Sequence, residues 1–295
     1  MDFKQIEAFI SVAKYKSFSK AANVIFLSQP TISSHISSLE KELNIQLFDR
    51  SSKEVNLTPA GSSFLDYAVD IINTRNHAVL ALSDFNSCVS GKLNLSASTT
   101  PCNSIVPSLL QNFSQRYPSV TFNINEQSSG RILKDIENLD CELGIIGSAI
   151  NNERIKSYKL LEDELVIIAN PKFNLPPLLD INKLYKYPFI FREKNSATRT
   201  TFENLLSSTI DLNKINVYCE VNNLDTLLQF VKTGMGISIV SSKVYDNYAY
   251  DKSIMCSKLK DISIKRNIFL IMNSKRTLSP TGRAFFNMCK ELYNF

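Results

Sequence analysis

This chain is poor in the residues that nucleotide-binding proteins and most hydrolytic or metal-dependent enzymes need. It has eight glycines and two histidines in 295 residues. No GxGxxG loop is present to cradle a phosphate. The histidines, His35 and His77, fall in separate helical patterns, so neither a triad nor a His-rich metal site can be assembled from them. There is no nucleophile elbow. The six cysteines, Cys88, Cys102, Cys141, Cys219, Cys256 and Cys289, are scattered without a CxxC pair, which fits free buried thiols in a reducing compartment. No apolar run approaches about 18 residues, and the opening MDFKQIEAF has no apolar core or cleavage signal. The reading is a cytoplasmic protein with no membrane partner, no catalytic residue, no metal and no cofactor.

What is there is enough for two or three globular units. Hydrophobic residues make up 44% and charged residues 21% of the chain, ordinary values for a soluble fold. The net charge of +5 permits an anionic partner without demanding one. Nor is charge concentrated at the N-terminus, where Lys4, Lys14, Lys16, Lys20, Lys41, Arg50 and Lys53 meet six acids. One local detail favours phosphates: no acidic residue occurs from Phe26 to Leu39.

Three zones follow one another. Residues 1–58 read as short helices. Phe3, Ile6, Phe9, Ile10 and Ala13 form one apolar stripe, and Phe18, Ala21, Ala22 and Ile25 form another after Ser17, an N-cap candidate. Ile32, Ile36, Leu39 and Leu43 form a third. The stretch LFDRSSKEVNLTPAG then predicts two short strands around a polar turn. Residues 59–88 predict a long helix started by Thr58-Pro59, with apolar residues at Phe64, Ala68, Ile71, Ala78, Leu82 and Phe85. A helix of about 30 residues spans about 45 Å, so it reads as a linker that also dimerises. Residues 89–295 alternate strand runs (KLNLSAS, VTFNINE, ELGIIGS, ELVIIAN, FIF, INVYCEV, GISIVS, IFLIMN) with helical patterns, which argues for parallel βαβ units.

The third stripe carries the functional argument. Its apolar residues cluster within about 60° on a helical wheel, which puts Pro30, Ser33, Ser34, Ser37, Ser38 and Lys41 on the opposite face, with Thr31 beside them. Ser28 is the N-cap candidate, leaving first-turn N–H groups for a phosphate. A narrow face of Gln, Ser and Thr suits a major groove, and Gln29 can pair bidentately with adenine. Arg50 and Lys53, on the turn that follows, are placed for backbone phosphate or the minor groove. A serine-rich helix alone equally fits a solvated face. A capped short helix, a tight break at Phe26-Leu27-Ser28, a second helix and a basic turn together make the order of a winged helix-turn-helix.

The segment from Phe3 to Gly61 resembles the N-terminal domain of LysR-type transcriptional regulators. The matching features are Ser17-Phe18, Ala21-Ala22, Ser28-Gln29-Pro30, Ser33, Ile36, Leu39-Glu40, Leu47-Phe48, Arg50, Leu57-Thr58 and Ala60-Gly61. Downstream, DCELGIIGS, EDELVIIANP, FREKNSATR and FVKTGMGISIVS resemble that family's effector domain, so the likeness spans the chain. The resemblance implies a bacterial transcription regulator that is not an enzyme. It would have an α plus α/β architecture: a winged helix-turn-helix (1–58), a linker helix (59–88) and a two-lobed, periplasmic-binding-protein-like α/β domain (89–295). Lobe 1 would cover about 92–162 and 267–295, and lobe 2 about 163–266. The partners implied are double-stranded operator DNA, a small-molecule effector and further copies of the chain, as homodimer or homotetramer.

Residue by residue, Gln29, Pro30, Thr31, Ser33, Ser34 and Ser38 match the family's DNA-contact positions and Arg50 its wing arginine. Ser34 and His35 stand where many members carry Arg and Gln, which shifts specificity toward DNA shape. In the effector domain, Ser98-Thr99-Thr100, Ser128-Ser129, Ser196-Ala197-Thr198 and Asn222-Asn223 sit where strands hand over to helices. Such places collect hydroxyls and free N–H groups, and they open on the ligand crevice of doubly wound sheets. Simple capping explains any one of them; four together favour a small anionic metabolite, bound by Ser98, Thr99, Thr100, Ser128, Ser129, Ser196, Thr198 and Asn222. Arg192 or Arg199 would supply counter-charge. Asn195 and Ala197 replace glycines common in the family, which reshapes the loop. Peroxide-sensing members use cysteines in the segment matching 195–212, where this chain has none; Cys102, near a predicted helix start, is the alternative thiol sensor through a lowered pKa. The wording of the N-terminal segment is most similar to members associated with selenium or sulfur metabolism. A cytoplasmic small-molecule-binding protein whose N-terminal helices only dimerise is the remaining alternative.

Overall fold

Asp2 starts the first helix. Its carboxylate accepts the Gln5 amide at 2.8 Å while the Gln5 side chain accepts the Asp2 amide at 3.0 Å, a reciprocal capping box that launches α1 (Phe3–Tyr15). The computed structural model describes residues 1–49, 55–83, 89–148, 150, 152–248, 250 and 252–295. They divide into two units, residues 1–87 with 275–279 and residues 88–274 with 280–295.

In the first unit, Ser17 caps α2 (Phe18–Val24) and Ser28 caps α3 (Gln29–Leu43), each side chain accepting an amide at 3.3 Å. Asn44 ends α3 in the left-handed conformation, as short Asx side chains allow. The three apolar stripes meet in one core of Ile6, Phe9, Val12, Ala21, Ala22, Ile32, Ile36, Leu39, Leu47, Phe48 and Ala68. Phe9 is its hub, with ring centroids 5.3 Å from Phe48 and 5.1 Å from Phe64. Two-residue strands β1 (Phe48–Asp49) and β2 (Asn56–Leu57) pair antiparallel. The wing turn between them, with Arg50 and Lys53, lies outside the described residues.

Thr58 opens α4 (Pro59–Ser83): its hydroxyl accepts the Gly61 amide at 2.9 Å and donates to the Gln46 carbonyl at 2.8 Å. The helix is described for 25 residues, about 37 Å at 1.5 Å per residue. Phe64, Ala68 and Ile71 pack into the core of α1 to α3, so its first half belongs to the head; Ala78 and Val79 further on are exposed.

The second unit is built on an eight-stranded sheet, with β4 (Val120–Glu126), β3 (Gly91–Ala97), β5 (Leu143–Ile146), β12 (Ile264–Asn273), β6 (Ile155–Ala169), β11 (Met255–Leu259) and β7 (Leu178–Leu179) in that order. β10 (Ser238–Ser241) also pairs with β6, and β8 (Phe189–Arg192) pairs with β9 (Val217–Val221). The expected parallel βαβ units are present only in part. β3–β4, β3–β5, β8–β9 and β7–β11 are parallel, but β6 runs antiparallel to β10, β11 and β12, and β12 antiparallel to β5. The reason is that β6 and β12 are long strands that pass from one lobe to the other and pair along their length, with one register shift at Ile268/Phe269.

Helices cover the sheet. α5 (Thr99–Ser104), α6 (Val106–Arg116), α7 (Ser129–Glu137) and α11 (Pro280–Tyr293) serve the lobe of β3 to β5. α8 (Ala197–Leu206), α9 (Leu224–Lys232) and α10 (Ser242–Tyr248) serve the other. Both faces of β6 are buried from Leu165 to Ala169, which explains its unbroken apolar run LVIIA: Leu165, Ile167 and Ala169 enter one core with Phe189, Phe191 and Phe202, and Val166 and Ile168 enter another with Leu227, Leu228 and Val231. Among the described residues no helix is long and apolar enough to cross a membrane.

Candidate functional site

The first site is the outer face of α3. Ile32, Ile36 and Leu39 are buried beneath it, while Ser28, Gln29, Pro30, Ser34, Ser37 and Ser38 are exposed and Thr31 and Ser33 half-buried. Two contacts organise this face. Ser28 and Thr31 share a hydroxyl hydrogen bond of 2.7 Å, and Ser19 of α2 donates to the Gln29 side-chain oxygen at 3.1 Å. Gln29 is thus held by the helix that precedes the turn. Glu40, the nearest acid, is directed inward: its carboxylate accepts the amides of Leu47 and Phe48 at 2.8 and 3.2 Å. The outer face of α3 is thus free of acids from Gln29 to Leu39, and Glu42, near its C-terminal end, pairs with the N-terminal ammonium of Met1. Sequence reasoning passed over Phe26, which stands 92% exposed in the turn with a φ of 55°. An aromatic residue in a tight break reads as core material; its exposure follows from the backbone of the turn, where the Leu27 amide returns to the Ala22 carbonyl at 2.9 Å.

The second site is a cleft between the lobes of the second unit. It lies where β3, β4 and β8 hand over to α5, α7 and α8. Ser98, Thr99, Thr100, Ser128, Ser129, Ser196 and Thr198 all line it. Their roles differ. Ser128 caps α7 through the Arg131 amide at 3.3 Å. Ser98 and Ser196 occupy cap positions but do not cap the helices they precede, although both are buried. Ser129 is buried and its hydroxyl has no hydrogen-bond partner; the Gln127 side-chain oxygen, two residues earlier, has none either.

At the cleft's floor stands Arg266, which sequence reasoning did not single out. It lies on β12 opposite Asp163 of β6, the two being register partners. Its Nε donates to Asp163 at 2.8 Å, its Nη1 to Thr198 at 3.0 Å and its Nη2 to Thr100 at 3.0 Å. Ser241 of β10 donates to the other Asp163 oxygen at 2.6 Å. Burial pulls the Arg266 pKa below its ordinary value and Asp163 opposes the shift; the guanidinium stays charged. One charged group therefore holds hydroxyls from the first turns of α5 and α8, one in each lobe. An arginine and an aspartate about a hundred residues apart carry no sequence signal of their pairing.

Both units match one family. Residues 3–62 fit the model of the bacterial regulatory helix-turn-helix protein, lysR family, and residues 88–294 that of the LysR substrate binding domain. The chain belongs to the LysR family. A probable RuBisCO transcriptional regulator of Cyanidium caldarium is 32% identical over 94% of this chain and 88% of its own. A full-length OxyR variant of Pseudomonas aeruginosa superposes with a TM-score of 0.73 at 17% identity, covering 99% and 94% of the two chains. Full-length CbnR, solved with its target DNA, gives 0.61 at 19% identity, covering 99% and 100%. This LysR protein is accordingly a helix-turn-helix transcription regulator with an effector domain, and it is not an enzyme.

Within that frame two expected residues lie away from the cleft and a third is already paired. Asn222 does not line the cleft; it is exposed, and its backbone carbonyl accepts Arg192 Nη2 at 3.3 Å. Arg199 does not line it either. Buried on the inner side of α8, it bonds Glu203 at 2.7 Å, Glu220 and the Arg192 carbonyl at 2.8 Å each, and lies 4.8 Å over the Phe191 ring. Arg192 does reach the cleft, but Glu193 grips it in bidentate fashion at 2.8 and 3.0 Å. The expected counter-charges are thus already answered by carboxylates. Cys102 departs from the thiol-sensor expectation: burial first, then the Glu126 charge, push its pKa up and away from the reactive thiolate.

Proposed function

We propose that this LysR regulator binds operator DNA through the outer face of α3, with Gln29, Pro30, Thr31, Ser33, Ser34 and Ser38 in the major groove, Ser28 at the phosphate, and Arg50 and Lys53 reaching the adjacent backbone. We infer further that a small, oxygen-bearing and anionic metabolite bound between the lobes controls it. The observation that carries this reading is the hydroxyl-rich lining of the cleft, which includes Ser129, a residue whose buried hydroxyl has no partner; unmet polar groups at such a place are of the kind that a bound ligand satisfies. Ser98, Thr99, Thr100, Ser128, Ser196 and Thr198 supply the surrounding hydroxyls.

Copies of the chain pair through α4, whose far half exposes Ala78 and Val79, as homodimers that join into tetramers. The protein works in the cytoplasm, on DNA. Effector binding changes lobe closure and with it the spacing of the heads and the bend of the operator. With one nearly uncharged recognition face, a single head binds weakly and affinity comes from several heads together. For the target genes, the name of the Cyanidium relative points to carbon fixation and the wording of the N-terminal segment to sulfur or selenium metabolism. Retardation of the DNA upstream of the protein's own gene tests the docking: Ser33→Arg should abolish the sequence-specific complex and Gln29→Ala should weaken it. Calorimetry of the full-length protein against sulfur, selenium, amino-acid and carbon-fixation metabolites identifies the effector class. Unchanged retardation by both variants overturns the docking reading, and a panel without one saturable ligand overturns the effector reading.

A further inference from the structure

The turn between α2 and α3 is strained without any compensation from packing. Val24 is the last residue of α2 and Ile25 its cap, and the Leu27 amide returns to the Ala22 carbonyl at 2.9 Å. That is the six-to-one bond of a Schellman ending, which needs a left-handed residue at the position of Phe26. Its φ is 55°. Glycine usually fills this position and asparagine sometimes does, because a Cβ there crowds the neighbouring carbonyl. The Phe26 side chain is 92% exposed, so the core of α1 to α3 gains almost nothing from the ring. A strained residue that the fold does not use points to a function.

Position and charge indicate the partner. Ser28, two residues on, caps α3, and Gln29, bonded to Ser19 of α2, opens it. In helix-turn-helix docking the N-terminal residues of the second helix meet the base edges while the first helix crosses the backbone. The turn that joins them then comes to the rim of the groove. No acid occurs from Ala8 to Leu39, whereas Lys14, Lys16 and Lys20 all stand exposed, so the segment that carries the turn is cationic and suits a polyanion. A separate protein partner fits less well. Only Val24 and Leu27 flank Phe26 as exposed apolar side chains, and three side chains fall short of the roughly 800 Å² a side that a stable protein interface buries.

We propose that Phe26 is a DNA-contact residue whose ring lies against the operator at the rim of the major groove. Its surface there is apolar: the C–H edge of a deoxyribose or the methyl group of a thymine, which phenylalanine can read. The ring adds buried apolar area to a recognition face otherwise made of hydroxyls and amides, and the left-handed backbone is what turns it outward. The contact presupposes that α3 docks in the major groove as proposed.

Stability and affinity should move in opposite directions. Phe26→Asn and Phe26→Gly both remove the ring and suit the turn. In the full-length protein, hydrogen exchange of the α2 and α3 peptides should slow by about fivefold in Phe26→Asn as the left-handed strain is relieved. Operator retardation by both variants should weaken by about tenfold, the factor that partial burial of one aromatic side chain is worth, and Phe26→Tyr, which restores a ring, should recover the affinity. An apolar contact releases no counterion, so the slope of affinity on salt should stay the same; a changed slope contradicts the proposal. Operators with deoxyuridine for thymine at single positions tell the two surfaces apart. A loss at one position that Phe26→Asn no longer shows marks a thymine methyl, and its absence at every position marks the sugar. Full affinity in both variants, or exchange no slower than before, overturns the proposal; full affinity with transcription lost assigns the ring to a protein beside the operator. Ser33→Arg separates the two readings. If it still binds the operator specifically, the docking of α3 falls; if it does not while Phe26→Asn binds fully, the Phe26 contact alone falls.

Discussion

Arg266 and Asp163 face one another across β12 and β6, 2.8 Å apart and almost wholly shielded from water. The pair sits where the two long strands cross between lobes, and each member holds further hydroxyls, Thr100 and Thr198 on one side and Ser241 on the other. A buried ion pair is not in itself a strong stabiliser, but halving it strands a charge. Asp163→Leu should therefore cost the effector domain about 3–5 kcal/mol, while the double variant Asp163→Leu, Arg266→Met should recover part of that loss. Guanidinium unfolding of the four proteins of the cycle measures the coupling. Additive losses would mean that the two side chains do not act as a unit.

The recognition face makes a prediction at a residue that need not touch DNA. Ser19 holds the Gln29 side chain, so Ser19→Ala should loosen a bidentate contact without deleting it. Gln29→Ala should cost about 1–3 kcal/mol of discrimination at one base pair, and Ser19→Ala a smaller part of it. Competition retardation with operators substituted at single positions reads both. Equal effects at every position would assign Gln29 to the backbone and not to a base.

Glu164 gives the acid side of the stability curve a sign. Chiefly the Lys258 hydrogen bond, helped by Ser263, holds its carboxyl below the ordinary value of 4.5. A carboxylate depressed in the fold stabilises it above its ordinary value and loses that contribution as pH falls through the folded value. Glu164→Gln should thus be slightly less stable near neutrality, by no more than about 1 kcal/mol given the solvent around Lys258. The difference should close as the pH drops below 4.5. Urea midpoints across that range decide the matter; a gap that widens in acid contradicts the assignment.

Gly61 is required for its lack of a side chain. A Cβ there would lie 2.1 Å from the Leu47 carbonyl oxygen, which also accepts the Thr58 amide at 3.0 Å. Gly61→Ala must push α4 off the end of β1, at about 1–3 kcal/mol. Thermal unfolding of the head should register the loss, and an unchanged midpoint would show that α4 can shift freely.

The thiols should be sluggish. Burial pushes Cys289 up to about 12 and raises Cys102 as well. In the folded protein at mildly alkaline pH, iodoacetamide should leave Cys289 intact until global unfolding and modify Cys102 more slowly than an unhindered thiol. Mass spectrometry of the labelled peptides gives the rates. Selective oxidation of Cys102 by peroxide would restore the thiol-sensor alternative.

Most of the helical head was legible because its signals are local. Ser17, Ser28 and Thr58 announce helix starts within three residues, and Ile32, Ile36 and Leu39 recur at the helical period. Seven of the eight residues expected in the cleft lining were legible for a similar reason: Ser98, Ser128 and Ser196 mark strand-to-helix junctions, and such junctions collect at one edge of an α/β sheet. Asn222 shares the junction signal, but the chain there directs its carbonyl to Arg192. The length of β6 and β12 was not legible, since KSYKLLED and IKRN show no strict alternation and their partners lie about a hundred residues away.

By itself, then, the order of residues determined the caps, the apolar stripes and the family, all set within a few turns of chain by backbone and side-chain preferences. Tertiary structure alone decided which charges meet. It withdrew Arg199 and Glu40 into protein contacts, gave Arg192 to Glu193, and joined Arg266 to Asp163 at the floor of the cleft. Pairing of that kind depends on distance and burial, which local sequence does not encode.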